Sequence, residues 1–178
     1  MRPRTPRKPR PPLDEEGLER LALFYAGRYA TTRAKLAAYL QRKINQRGWA
    51  GRSEAPIDAL VQRFAELGYV DDRAFAASRT ASLLRRGYGE RRVAAALRVA
   101  GIGEEDAAPS NEMVEEEALS AAHRFARRKR LGPYGEAESD PRTRQKAAAA
   151  MIRAGHRMEL VWKVLGASRA DLPDPDVP

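Results

Sequence analysis

With 178 residues, 33 of them Lys or Arg against 24 Asp or Glu, the chain carries a formal net charge of +9 and has an isoelectric point of about 10.2. That length allows one or two small domains or one elongated array, and that charge points to an anionic partner, nucleic acid before a membrane surface or an acidic protein face. The absence of cysteine excludes disulfides and thiolate metal sites, and no apolar run approaches a membrane span, so a soluble, cytoplasmic protein is expected.

Alanine, leucine and arginine are abundant and β-branched residues are sparse, which predicts an all-α fold. Residues 1–12 set Arg2, Arg4, Arg7, Lys8 and Arg10 between prolines and lack the apolar core of a signal peptide. This reads as an extended, disordered basic arm, either a solubilising tail or an accessory phosphate contact. Asp14 can cap a first helix, with Glu15 and Glu16 suited to its dipole and Leu18, Leu21, Ala22 and Tyr25 as its inner stripe. Thr31 or Thr32 caps a second, in which Leu36, Leu40 and Ile44 recur at helical spacing while Arg33, Lys35, Arg42, Lys43 and Arg47 take other positions. Pro56 suits the first turn of a third helix, whose stripe is Ile57, Leu60, Val61, Phe64 and Leu67 and whose stop is Gly68.

The middle of the chain supplies two helices joined at Arg85-Arg86-Gly87-Tyr88-Gly89-Glu90-Arg91-Arg92. Asp71 or Asp72 caps the first of them, and Phe75 and Ala76 start its buried stripe. Gly87 ends it, Gly89 opens the next, and Val93, Ala96, Leu97 and Ala100 form that helix's apolar face. A sixth helix is expected to be short, residues 104–108, broken by Pro109. A seventh covers about residues 112–130, followed by a loop over 132–139. Asp140-Pro141 starts an eighth that stops at Gly155, and Leu160, Val161, Val164 and Leu165 define a ninth. The tail from 168 is acidic and proline-rich and is expected to be disordered.

Leu36 and Leu40 align with Val93 and Leu97, and again with Ala147 and Met151, at a period of roughly fifty-odd residues. The chain therefore reads as three tandem three-helix units, at 14–68, 69–110 and 111–167, between the arm 1–13 and the tail 168–178. Units this small bury little alone, so neighbours should stack into an elongated array presenting a long surface, which suits a filament or polymer better than a small ligand.

Four arginines, Arg85, Arg86, Arg91 and Arg92, flank one turn. Arg85 and Arg86 suit a helix C-terminus, but Arg91 and Arg92 stand where the dipole disfavours cations, which suggests an anion nearby. With Arg98, Arg33, Lys35, Arg42 and Lys43 they form the candidate filament- or DNA-binding set. Residues 127–130, Arg127-Arg128-Lys129-Arg130, are read mainly as a helix end. Asp71, Asp72, Phe75, Gly87 and Gly89 are structural motif residues. Gly87-Tyr88-Gly89 has neither a preceding strand nor a Gly-Lys-Ser/Thr, so no nucleotide loop is expected. Adjacent Asp71 and Asp72 with no third spaced carboxylate argue against a nuclease metal site. His123 and His156 lack ligand partners in pattern, and no nucleophile–base–orienter set exists. No metal, cofactor or enzymatic activity is expected. Trp49, Tyr69 and Tyr88 could stack on bases, or pack the core.

Three motifs carry a family resemblance: Ala22-Leu23 to Arg28 with Thr31-Thr32 to Leu36; Gly68-Tyr69-Val70-Asp71-Asp72 with Phe75-Ala76; and Gly87-Tyr88-Gly89 with Arg91-Arg92-Val93, Leu97 and Gly101-Ile102. Over residues 18–103 the chain resembles the RecX family of recombination regulators. The resemblance implies a curved row of three-helix repeats that binds in the groove of the RecA–DNA filament, and a monomer is expected. It implies inhibition of filament extension, strand exchange, ATP hydrolysis and the coprotease function of the SOS response, with weaker binding to single- and double-stranded DNA. The chain departs from the usual pattern in a second helix extended through Trp49, an eroded sixth helix and a long loop over 132–139. The alternative is a general DNA-binding protein built of helix-turn-helix-like units, though the helix after Gly89 offers arginines and no Asn or Gln at its start.

Overall fold

The structure, a computed structural model, describes residues 11–135, 140–168, 170 and 172. Most of the basic arm (1–10), the loop segment 136–139 and most of the acidic tail lie outside the described residues. Among the described residues there are eight α-helices and no β-strand. They divide into two compact units, Met1–Phe75 and Ala76–Pro178.

The first unit holds α1 (Glu15–Arg28), α2 (Arg33–Arg47), α3 (Ile57–Glu66) and the opening of α4 (Asp72–Arg85). Its caps follow the sequence: the Asp14 carboxylate accepts the Gly17 amide at 2.8 Å, and the Thr32 hydroxyl accepts the Lys35 amide at 3.2 Å. Leu18 and Ala22 of α1, Leu36 and Leu40 of α2 and Leu60, Val61 and Phe64 of α3 form one core with Val70. Each large apolar side chain there contributes about 1.5–3 kcal/mol on leaving water. The second helix stops at Arg47, short of the expected Trp49. Gly48 turns at φ 83°, and its carbonyl accepts the Leu13 amide at 2.9 Å. The backbone is thereby diverted to a strap that buries Leu13, and the Trp49 indole instead donates to the Ser53 carbonyl at 2.8 Å.

The second unit holds the rest of α4, α5 (Glu90–Val99), α6 (Glu104–Lys129), α7 (Pro141–Arg153), α8 (Met158–Leu165) and a short 3₁₀ helix at Gly132–Tyr134. One cluster gathers Ala76, Leu83, Leu84, Val93, Leu97, Val114 and Ala121; a second gathers Phe125, Ala126, Met151, Val161, Val164 and Leu165. Helix α6 contributes to both. This corrects the sequence expectation: the sixth and seventh helices are one, with Pro109 inside it. Pro109 forfeits its bond to the Glu105 carbonyl and crowds it, a cost of about 3 kcal/mol in a helix interior. Both residues lie on the exposed side. The opposite side packs Ala107, Met113 and Val114 on the core, which offsets that cost. The aligned anchors Leu36, Leu40, Val93, Leu97, Ala147 and Met151 are all buried.

Candidate functional site

The turn between α4 and α5 is built against the turn between α7 and α8. Gly87, at φ 73°, closes α4 by donating to the Leu84 carbonyl at 2.8 Å, while the Tyr88 amide reaches the Leu83 carbonyl at 3.0 Å. A Cβ at Gly87 would stand 2.6 Å from the Phe125 amide nitrogen, so even a methyl there would push α6 away. The Gly89 amide donates to the Ala154 carbonyl at 3.0 Å, and the Arg91 amide to the Gly155 carbonyl at 3.1 Å. These serve amides that the start of α5 cannot pair internally. His156, buried, holds the Gly87 carbonyl from Nε2 at 3.1 Å, and Arg157 pairs with Glu90. That hydrogen bond from Arg157 is the main reason the Glu90 carboxyl titrates below its ordinary range. With the Gly89 and Arg91 amides taken by protein carbonyls, the Gly-Tyr-Gly segment is a packing joint.

Around this joint the cations converge. The guanidinium groups of Arg86, Arg92 and Arg128 lie 5.3, 5.7 and 5.7 Å from the centroid of the Tyr88 ring. Arg128 also donates to the Arg86 carbonyl and stands over Phe125 at 5.4 Å. Among the described residues none of these three arginines has a carboxylate partner. By contrast Arg124, one helical turn before Arg128, is engaged by Glu117 and by the Leu84 carbonyl. Three like charges around one ring repel one another, and the ring's negative face relieves only part of that. An anion would relieve the rest. Arg85 and Arg91 are exposed on the same turn, and Arg98 is exposed farther along α5.

The α2 cations separate. Arg33 donates its amide and its Nε to the Asp72 carboxylate at 2.9 and 3.1 Å, and Asp72 is only 6% exposed. Lys35 covers the Phe75 ring at 4.3 Å. Arg42 and Lys43 cover Tyr39, at 5.5 and 5.4 Å. Asp71 is the cap of α4, accepting the Ala74 amide at 2.8 Å. Asp72 joins that helix to the N-terminus of α2 instead, so the choice left open between the two aspartates resolves into two roles. His123 meets the Tyr134 hydroxyl at 2.9 Å, and Tyr69 leans on Phe64 at 5.3 Å. Among the described residues no group of three His, Asp or Glu gathers as a metal site would need.

The family described as RecX, second three-helix domain, matches residues 71–108. The Regulatory protein RecX of Myxococcus xanthus (strain DK1622) is 33% identical over 182 aligned positions, 94% of this chain and 92% of that protein. The chain belongs to the RecX family. A second relative, the Regulatory protein RecX of Agrobacterium fabrum, is 27% identical over 86% of this chain and 84% of its own length. The RecX fold is shared with two crystal structures. One, of regulatory protein RecX, has a TM-score of 0.65 at 19% identity, covering 85% of this chain and 71% of that one. The other, of RecX from Lactobacillus salivarius, has a TM-score of 0.62 at 16% identity, covering 85% and 94%.

In this RecX-family chain the matched segment contains α4, α5 and the start of α6. It thus includes Asp71, Asp72, Phe75, Gly87, Gly89 and the arginines of the joint, but not Arg128. Sequence spacing put Arg86 and Arg92 together and read Arg128 as a helix end. No local signal brings a residue of late α6 onto the Tyr88 ring; the packing of α6 against Gly87 does. Sequence reading placed Tyr25 only in the inner stripe of the first helix and Arg28 only in a family motif, and passed over Tyr29; the three join Tyr39, Arg42 and Lys43 through the α1–α2 contact.

Proposed function

We propose that this protein is a non-enzymatic regulator that binds the RecA–DNA filament and restrains recombinase activity, filament extension and the coprotease function behind the SOS response. The observation that carries the reading is the carboxylate-free cluster of Arg86, Arg92 and Arg128 around Tyr88, within a chain of the RecX family. Such a cluster suits a polyanion, DNA phosphates or acidic recombinase side chains. Arg85, Arg91 and Arg98 extend it along α5, and Arg42 and Lys43 add a second basic group on α2. The protein acts in the cytoplasm as a monomer, and three-helix units at 14–68, 69–110 and 111–167, the last two sharing α6 across their boundary, supply the contacts. Naked single- and double-stranded DNA are weaker partners.

Co-sedimentation with RecA filaments on single-stranded DNA, with naked DNA of the same length as control, tests this directly. Preferential pelleting with the filament, together with inhibition of strand exchange, is the expected result. Equal affinity for naked DNA and filament would favour a general DNA-binding protein instead.

A further inference from the structure

We infer that the tyrosine cluster on α1 and α2 is a base-stacking platform for single-stranded nucleic acid. Tyr25 and Tyr39 stack with centroids 4.1 Å apart and planes 14° apart, and Tyr29 tilts against Tyr25 at 5.4 Å. Arg28 covers Tyr29 at 5.8 Å, and Arg42 and Lys43 cover Tyr39 at 5.5 and 5.4 Å. Among the described residues none of these three cations has a carboxylate partner. Tyr39 is buried and Tyr25 half-buried, so those two rings are spent on the fold. Tyr29 is 51% exposed, and its backbone caps α1, donating to the Tyr25 carbonyl at 3.1 Å.

An exposed ring resting against Tyr25, with Arg28 at its side and Arg42 and Lys43 on the Tyr39 ring next in the cluster, offers an aromatic surface and positive charge together. That combination recognises an unstacked base and the phosphates beside it. A duplex keeps its bases stacked on each other and could use only the cations. An acidic peptide would likewise satisfy the cations and leave the ring idle. Burial raises the Tyr39 hydroxyl above the ordinary tyrosine range, against the opposing pull of Arg42. The inference depends on the proposed function only for its biological setting.

The test is fluorescence anisotropy of a labelled oligothymidine strand with the full-length protein. A duplex of the same length and an abasic strand with the same number of phosphates serve as controls. Tyr29→Ala and Tyr29→Leu are expected to weaken binding of the oligothymidine about tenfold, while Tyr29→Trp keeps it, since one stacked base contributes about that much. Duplex and abasic binding should stay within about twofold, because they are governed by the cations. Helicity and melting temperature of each variant establish that the fold is intact. A folded Tyr29→Leu protein that binds the oligothymidine as wild type does, or that loses duplex and abasic binding in equal measure, overturns the platform. No recombinase is present in this assay, so its failure and the failure of filament co-sedimentation are separate results.

Discussion

Replacing Asp71 by Ala removes the carboxylate that caps α4 at the Ala74 amide, and should cost about 1 kcal/mol, the usual loss for an N-cap. Asp72→Ala should cost more, about 2 kcal/mol. It removes the acceptor of the Arg33 amide at the start of α2 and a carboxylate that pairs with its guanidinium, an ion pair partly screened because the Arg33 side chain is 44% exposed. Asp72→Asn keeps an acceptor for the amide and should fall between them. Urea unfolding of the three variants checks the order; an Asp72→Ala protein as stable as the wild type would mean that the Arg33 contact adds nothing. His156 offers a second measurement at this scale. Its Nε2–H donates to the Gly87 carbonyl, its Nδ1 is buried without a partner among the described residues, and burial pushes its pKa below the ordinary 6.5. The unfolded chain therefore takes up a proton that the folded chain resists. Stability is full above the unfolded value of about 6.5 and falls as pH drops through the lower folded value. His123, also depressed chiefly by burial, adds a slope of the same sign. In His156→Gln, melting temperature should fall less steeply with acid over that window; an unchanged slope would exonerate His156.

At the scale of elements, apolar spacing and capping residues made most of the helices legible. Asp14, Thr32 and Asp140 cap where their side chains allow, and Gly68, Gly87, Gly101 and Gly155 follow helix ends with positive φ. Pro109 misled because local chemistry is only one term. Its lost hydrogen bond faces water, while Ala107, Met113 and Val114 gain burial only if the helix runs straight through. Pro109→Ala should therefore stabilise the protein by about 1–3 kcal/mol, restoring the Glu105 bond without disturbing the packed face. Thermal melting followed by circular dichroism checks this; a lower melting temperature would mean that Pro109 fits its site better than an ordinary helical residue does.

For the molecule as a whole the useful quantity is where the +9 charge is concentrated. Arg92→Glu with Arg128→Glu reverses two of the three charges around Tyr88. The first substitution places a carboxylate in the first turn of α5, where the helix dipole favours it. The second places one near the end of α6, where the dipole does not. The two effects on stability should therefore nearly cancel, each about 0.3–1 kcal/mol. On the proposed function, inhibition of RecA strand exchange by the double variant should be at least tenfold weaker, which needs only about 1.4 kcal/mol of lost binding. A folded double variant that inhibits at wild-type concentrations would remove the cluster from the binding face.

By itself the sequence determined the all-α class, nearly every helix, the buried anchors and the family, because caps, glycine stops and apolar periodicity are local properties that survive in a linear reading. It also marked the arginine turn, since cations at a helix N-terminus conflict with the local dipole. Only the tertiary structure decided that Arg128 joins Arg86 and Arg92, that Asp72 holds Arg33 instead of capping, and that Tyr25, Tyr29 and Tyr39 meet. Apart from Tyr25 and Tyr29, one turn apart at the end of α1, each of those pairs residues from different helices, and such meetings are set by how closely backbones can approach. At Gly87 and Gly89 the approach is so close that no side chain fits.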